Sequence, residues 1–163
     1  MALSTIIKTK RDGTITITDG AANSLAVSLD VGDFAFDDAS KPARVVLRDR
    51  GTICGVRNGD DEVIGFSFSA HFTEFTNAAG VALLDFCYKR NAASGYTSTG
   101  SGSFEPFMVS VSYTANATAL GDAAAAVANF AKCILIASFA EGDSDTLTIT
   151  GECYGGVTYT GIT

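Results

Sequence analysis

Hydrophobic and polar residues alternate with a period of two along much of the chain, the pattern of strands with one buried face. In VIGFSFSAHFTEF, residues 63–75, Ile64, Phe66, Phe68, Ala70 and Phe72 fall on one side. Gly65, Ser67, Ser69, His71 and Thr73 fall on the other. The same alternation recurs in GTITITDG (13–20), SLAVSLDV (24–31), PFMVSVSYT (106–114) and DTLTITGECYG (145–155). NFAKCILIASF (129–139) is apolar on both faces apart from Asn129, Lys132 and Ser138, which predicts a central strand covered on both sides. Asp12-Gly13, Asp19-Gly20, Asn58-Gly59 and Glu141-Gly142-Asp143 supply turn chemistry between the runs. Many short strands with frequent turns predict a mainly β fold, an antiparallel β-sandwich or barrel-like arrangement.

One stretch, TNAAGVALLDFCYKR, has helical spacing and predicts one flanking α-helix over about residues 77–90. Thr76 or Asn77 would cap it. Leu83, Leu84, Cys87 and Tyr88 share a side, and Lys89 and Arg90 suit the dipole of the last turn. NAASGYTSTGSGS (91–103) reads as a flexible loop and FDDASKPAR (36–44) as a second loop. GDAAAAVAN (121–129) reads as a loop running into the next strand. With no internal repeat, residues 1–163 are expected to form a single domain, large enough to bury a core without disulfides or metal.

Composition narrows the function classes. Only 18% of residues are charged, against about 25% in a typical soluble domain. Mean hydropathy is +0.24. Yet no apolar run approaches the roughly 20 residues of a membrane-spanning helix. The start, MALSTIIKTKRDG, lacks the apolar core of a secretory signal, so synthesis in a cytosol is expected. The polar strand faces are mostly Ser and Thr, which suits close packing against another protein surface and suggests self-association. Net charge is −7, and ten of the eleven basic residues precede residue 91. So acidic a chain is a poor nucleic-acid binder, because that affinity comes largely from Lys and Arg displacing phosphate counterions.

Catalytic chemistry finds little support. His71 is the sole histidine. In a strand its side chain and that of Glu74 point to opposite faces, so they form no dyad. Cys54, Cys87, Cys133 and Cys153 lie far apart without a CxxC pair and read as reduced, buried thiols. No phosphate loop or nucleophile elbow is present. The acidic clusters at 60–62 and 141–145 do not match a calcium loop and read as solvated turns. No catalytic residue, cofactor or metal site is therefore assigned. The remaining feature is the basic segment RVVLRDRGTICGVR, read as strand-like with Arg44, Arg48 and Arg50 on one face and Asp49 opposite. Arg44, Arg48, Arg50 and Arg57 are the candidate assembly contacts, expected to meet acids of a neighbouring subunit.

The opening IIKTKRDGTITITDG and the closing CILIASFAEGDSDTLTITGECYGGVTYTG, with GFSFSAHFTEFT and a helix between, resemble the tail tube (major tail) proteins of long-tailed bacterial viruses. The resemblance runs over nearly the whole chain in order and style. It implies a β-sandwich with one flanking helix and subunits that close into hexameric rings. The rings stack into a tube through which DNA passes without specific binding. It further implies tape-measure, tail terminator and baseplate proteins as partners, and a place in the virion tail after synthesis in the bacterial cytoplasm. An acidic subunit with smooth Ser/Thr faces agrees with a lumen that repels DNA phosphates. Two other readings share the composition: another capsid-associated β-sandwich, such as a decoration or connector protein, and a monomeric carbohydrate-binding module. The latter would rely on Tyr88, Tyr96, Tyr154 and Tyr159, since the chain has no Trp.

Overall fold

Alternating Thr, Ser, Ile, Val and Phe do not suit a helix, and the segments that carry them form strands. The computed structural model describes residues 13–21, 23–27, 34–37, 43–71, 82–88, 95–102, 105–115, 125–142 and 145–161. In chain order these give β1 (Gly13–Thr18), β2 (Ser24–Ala26), β3 (Ala35–Phe36), β4 (Arg44–Asp49), β5 (Thr52–Asn58) and β6 (Ile64–His71). They continue with α1 (Leu83–Tyr88), β7 (Val109–Ala115), β8 (Ala126–Ser138), β9 (Thr146–Cys153) and β10 (Val157–Thr160). Eight strands make one antiparallel sheet in the order β2-β1-β7-β8-β9-β6-β3, with β10 also on β8. Among the described residues, strands β4 and β5 pair only with each other. The fold is mainly β and antiparallel with one short helix, as the alternation predicts. The sheet ends at β2 and β3 without joining, so among the described residues it is not a closed barrel.

The thirteen-residue β8 organises the sheet. Its first half lies between β7 on one edge and β10 on the other. Its second half pairs with β9. Between the halves, Ala131 and Lys132 stand opposite the single residue Ser110 of β7, a β-bulge. Lys132 takes φ 53°, a conformation that L-residues other than Gly rarely adopt. The bulge reverses which residues point inward. Ala128 and Phe130 are buried before it, Cys133 and Leu135 after it. That change of parity is why the segment looks apolar on both faces in sequence. The strand is not covered on both sides throughout: Ile136 is 51% exposed and Phe139, just beyond, 60%.

Bulges increase twist and bend a strand, and here the sheet curls so that its β3–β6 end faces β7 and β8. Aromatic rings close the gap. Phe34 stacks on Tyr113 with centroids 4.6 Å apart, and Phe66 and Phe36 meet Phe130 at 5.1 and 5.3 Å. Ile15, Ile17, Val109, Val111, Leu147 and Ile149 fill the rest of the interior. Each such fully buried side chain contributes about 1.5–3 kcal/mol. Gly151 is required in β9, because a Cβ there would run into the ring of its cross-strand partner Phe66.

The helix is shorter than the spacing predicts. Its described part is Leu83–Tyr88, and Ala82 already stands outside it. The proposed caps Thr76 and Asn77, and Lys89 and Arg90, lie outside the described residues, as does Phe72. Asp85 does the capping instead: its carboxylate accepts the Ala82 N–H at 3.2 Å, the role of an acidic third residue in a helix. Leu84 and Phe86 bury against the sheet. Tyr88 donates its hydroxyl to Ala137 O at 2.9 Å, so the helix lies against β8 where β7 no longer pairs with it.

Segment 95–102 is also not the free loop its composition predicts. Tyr96 is buried, with its ring edge-on to Phe86 at 5.2 Å. Gly20 N–H donates to Thr97 O at 2.7 Å and Thr99 N–H to Met108 O at 2.9 Å. Asp19 ties this stretch to the β1–β2 turn. Its carboxylate accepts N–H bonds from Ala21, Asn23 and Thr97 and the Asn23 side-chain amide, all at 2.8–2.9 Å. Burial works against the charge, but the donors from Thr97, Asn23 and Ala21 outweigh it and hold the Asp19 carboxyl below its ordinary value.

Candidate assembly interface

The four arginines singled out in sequence all lie on the β4–β5 ribbon, whose geometry differs from the single strand expected. RVVLRDRGTICGVR is a hairpin that turns at Asp49-Arg50-Gly51-Thr52. Arg50 and Gly51 take φ 47° and 88°, the two positive values of a type I′ turn. Arg50 is therefore at the tip and not on a strand face with Arg44 and Arg48. Alternation was a misleading guide here because Arg-Gly is not a favoured turn pair, so no turn signal interrupts it.

Register fixes the two faces. Arg44 pairs with Asn58, Val46 with Val56 and Arg48 with Ile53 on one side; Val45 pairs with Arg57 and Leu47 with Gly55 on the other. The register shifts between Leu47 and Arg48, with Cys54 as the extra residue. Cys54 is exposed, its thiol donating to Leu47 O at 3.3 Å, so it is not the buried thiol the sequence suggests. All four arginines are exposed. So are Val45, Val46, Leu47, Ile53 and Val56, at 37–58%.

A lone two-stranded ribbon is marginal in water, and its unpaired edges invite pairing. This one also exposes aliphatic side chains on both faces, interleaved with guanidiniums. Apolar centres with Arg at the margin are the anatomy of protein interfaces. Charge points the same way. Residues 44–58 carry four arginines against Asp49, a net +3 within a chain of −7, so the remainder carries −10. A cationic arm on an acidic body is complementary to the body of another copy.

The second distinctive surface is the outer face of β6 and β9. Ser67, Ser69 and His71 stand opposite Thr150, Thr148 and Thr146. His71 sits half-buried in this row, on the polar strand face where the alternation places it; Glu74 lies outside the described residues. No group of three or more His, Cys, Asp or Glu side chains that could hold a metal occurs among the described residues. Among the described residues no helix is long and apolar enough to cross a membrane. Of the four tyrosines named as possible sugar platforms, Tyr96 is buried, while Tyr88, Tyr154 and Tyr159 are exposed.

No protein-family model matches the chain. No curated protein matches it either. Solved structures do share its fold. One is the sheath/tube terminator of an extracellular contractile injection system, PVC, in its extended state: 12% identity, TM-score 0.57, covering 98% of this chain and 99% of that one. A chain of the PVC sheath-tube complex in the extended state has 10% identity and TM-score 0.60 and covers 99% and 100%. The tube-terminating cap of the anti-feeding prophage has 15% identity and TM-score 0.54 and covers 98% and 94%. At these identities the likeness is one of fold, extending over essentially the whole length of both chains.

Proposed function

We propose that this chain is a structural subunit of a tail-like particle, a tube component that assembles with copies of itself. The observation that carries this reading is the β4–β5 arm, cationic and aliphatic on an acidic body. It has the surface of an interface and, among the described residues, no further partner strand. The fold shared end to end with chains of tube, sheath and terminator assemblies supports the same class. In this reading subunits close into rings, and the rings stack. The arm reaches an adjacent subunit, where arginines at positions 44, 48, 50 and 57 meet carboxylates. The outer face of β6 and β9, mostly Ser and Thr with His71 and Glu152 at its two ends, presents a polar wall, and the acidic balance keeps polyanionic cargo from adhering. Tape-measure, terminator and baseplate-type proteins are the partners that a tube requires at its centre and ends.

A terminator or cap is the second reading, favoured by the two likenesses to chains that end tubes. The two separate by growth. Negative-stain microscopy and sedimentation of the purified protein at rising concentration should show tubes or stacked rings for a tube subunit, and single closed rings for a terminator. Compact monomers at high concentration would exclude both.

A further inference from the structure

Cys133 and Cys153 face each other across β8 and β9 where the sheet bends. Tyr154 N–H donates to Lys132 O at 3.1 Å, so the Lys132/Tyr154 step is hydrogen-bonded and the Cys133/Cys153 step is not. Opposed residues at a non-hydrogen-bonded step have Cα atoms about 4.5 Å apart. That lies inside the roughly 4.4–6.8 Å a disulfide spans. Both thiols are buried, at 0% and 1% exposure. The Cys153 sulfur is 3.1 Å from Ala131 O and 3.3 Å from Gly156 O, which accept its proton when it is a thiol. The interaction between the two sulfurs lowers the Cys153 thiol and raises that of Cys133, with burial adding to the rise at Cys133.

We propose that Cys133 and Cys153 are a redox pair that hydrogen peroxide converts into a cross-strand disulfide, stapling β8 to β9 at the bend. In the first step the Cys153 thiolate attacks one peroxide oxygen. An S–O bond forms, the O–O bond breaks, and hydroxide leaves, giving a sulfenic acid. In the second, the Cys133 sulfur attacks the Cys153 sulfur. The S–S bond forms, the S–O bond breaks, and the hydroxyl departs with the Cys133 proton as water. Two thiols lose two hydrogens in total, and one peroxide becomes two waters. Access needs only local opening. Tyr154, Gly155 and Gly156, which follow Cys153 directly, are all exposed, with Gly156 at φ 79° and its carbonyl 3.3 Å from the Cys153 sulfur. The inference does not depend on the assembly reading. Cys133 and Cys153 are free, buried thiols as the sequence leads one to expect; their meeting across β8 and β9 is not readable from their spacing along the chain.

The test treats the native full-length chain briefly with hydrogen peroxide, blocks remaining thiols under denaturant and maps peptides without reduction. The expected product is a linked peptide pair containing Cys133 and Cys153. It should be lighter by two hydrogens, revert with dithiothreitol, and raise the thermal midpoint over the reduced protein. In C133S the link should vanish and a dimedone-type probe should capture a sulfenic acid at Cys153. Free Cys133 and Cys153 after a dose that fully oxidises the exposed Cys54 would overturn the proposal. So would a disulfide joining either residue to another cysteine. The wild-type map decides even if C133S folds poorly.

Discussion

Strand β6 and the β4–β5 hairpin are equally rich in large apolar side chains and meet opposite fates. Ile64, Phe66 and Phe68 are at most 5% exposed, whereas Val45, Val46, Leu47, Ile53 and Val56 are 37–58% exposed. Apolar content does not separate them; what stands beside it does. In β6 every second position is apolar and its neighbours are Gly, Ser or His, so one face can close over a core while the other stays polar. In the hairpin Val45, Val46 and Leu47 are consecutive and therefore occupy both faces, with arginines among them. A ribbon apolar on both sides cannot be covered by a single sheet face, and among the described residues its large side chains stay exposed.

The largest effect should come from the core. Phe68→Ala should cost about 3–5 kcal/mol in thermal or denaturant unfolding, because the curled sheet cannot collapse onto the void. A cost below about 1 kcal/mol would mean that the rings of Phe34, Phe66 and Phe130 do not form a packed interior. Next is Asp19→Ala, which leaves the N–H groups of Ala21, Asn23 and Thr97 without their acceptor and should cost about 1–3 kcal/mol. Its pH dependence has a fixed sign. The folded carboxyl is depressed below 3.8, so its contribution is present above that pH and is lost as pH falls through the lower, folded value. Asp19→Ala should therefore be less destabilising in strong acid than near neutrality; a constant difference would contradict the charged role.

The hairpin should respond in the opposite way. Ile53→Ser and Val56→Ser should each change the stability of the free subunit by no more than about 0.5 kcal/mol, as exposed positions do, while weakening association. A core-sized loss of stability would show that the hairpin packs on its own body. The smallest effect concerns the bend. Lys132→Gly should be neutral or stabilising by up to about 1 kcal/mol, since glycine adopts positive φ without steric cost. Lys132→Val should destabilise. If both are tolerated equally, β8 is straight in solution.

Most of the sheet was legible because period-two alternation reports burial on one face wherever that face stays constant. Ile64 to Ala70, Val109 and Val111, and Leu147 and Ile149 all point inward as the alternation requires. It failed where local backbone changes the face. The bulge at Lys132 switches parity within β8, and no residue type announces it. The Arg50-Gly51 turn hides a hairpin inside what reads as one strand. Tyr96 looked like part of a Gly/Ser linker because its burial depends on Phe86 and Asp19, distant in sequence. The arginines of the candidate interface were visible as a basic cluster in an acidic chain. Their place on a solitary ribbon, and the meeting of Cys133 with Cys153, follow only from strand pairing.

Hydrogen exchange tests most directly whether the hairpin is incomplete until a second copy covers it. Amides of residues 44–58 should exchange fast in dilute free subunit, while those of β6, β8 and β9 stay protected. At concentrations where rings or tubes form, the hairpin amides should slow by orders of magnitude, and charge reversal of Arg44, Arg48 and Arg57 to Glu should abolish both the slowing and the assembly. Hairpin amides already protected in the monomer, or equally fast in the assembled particle, would contradict that incompleteness.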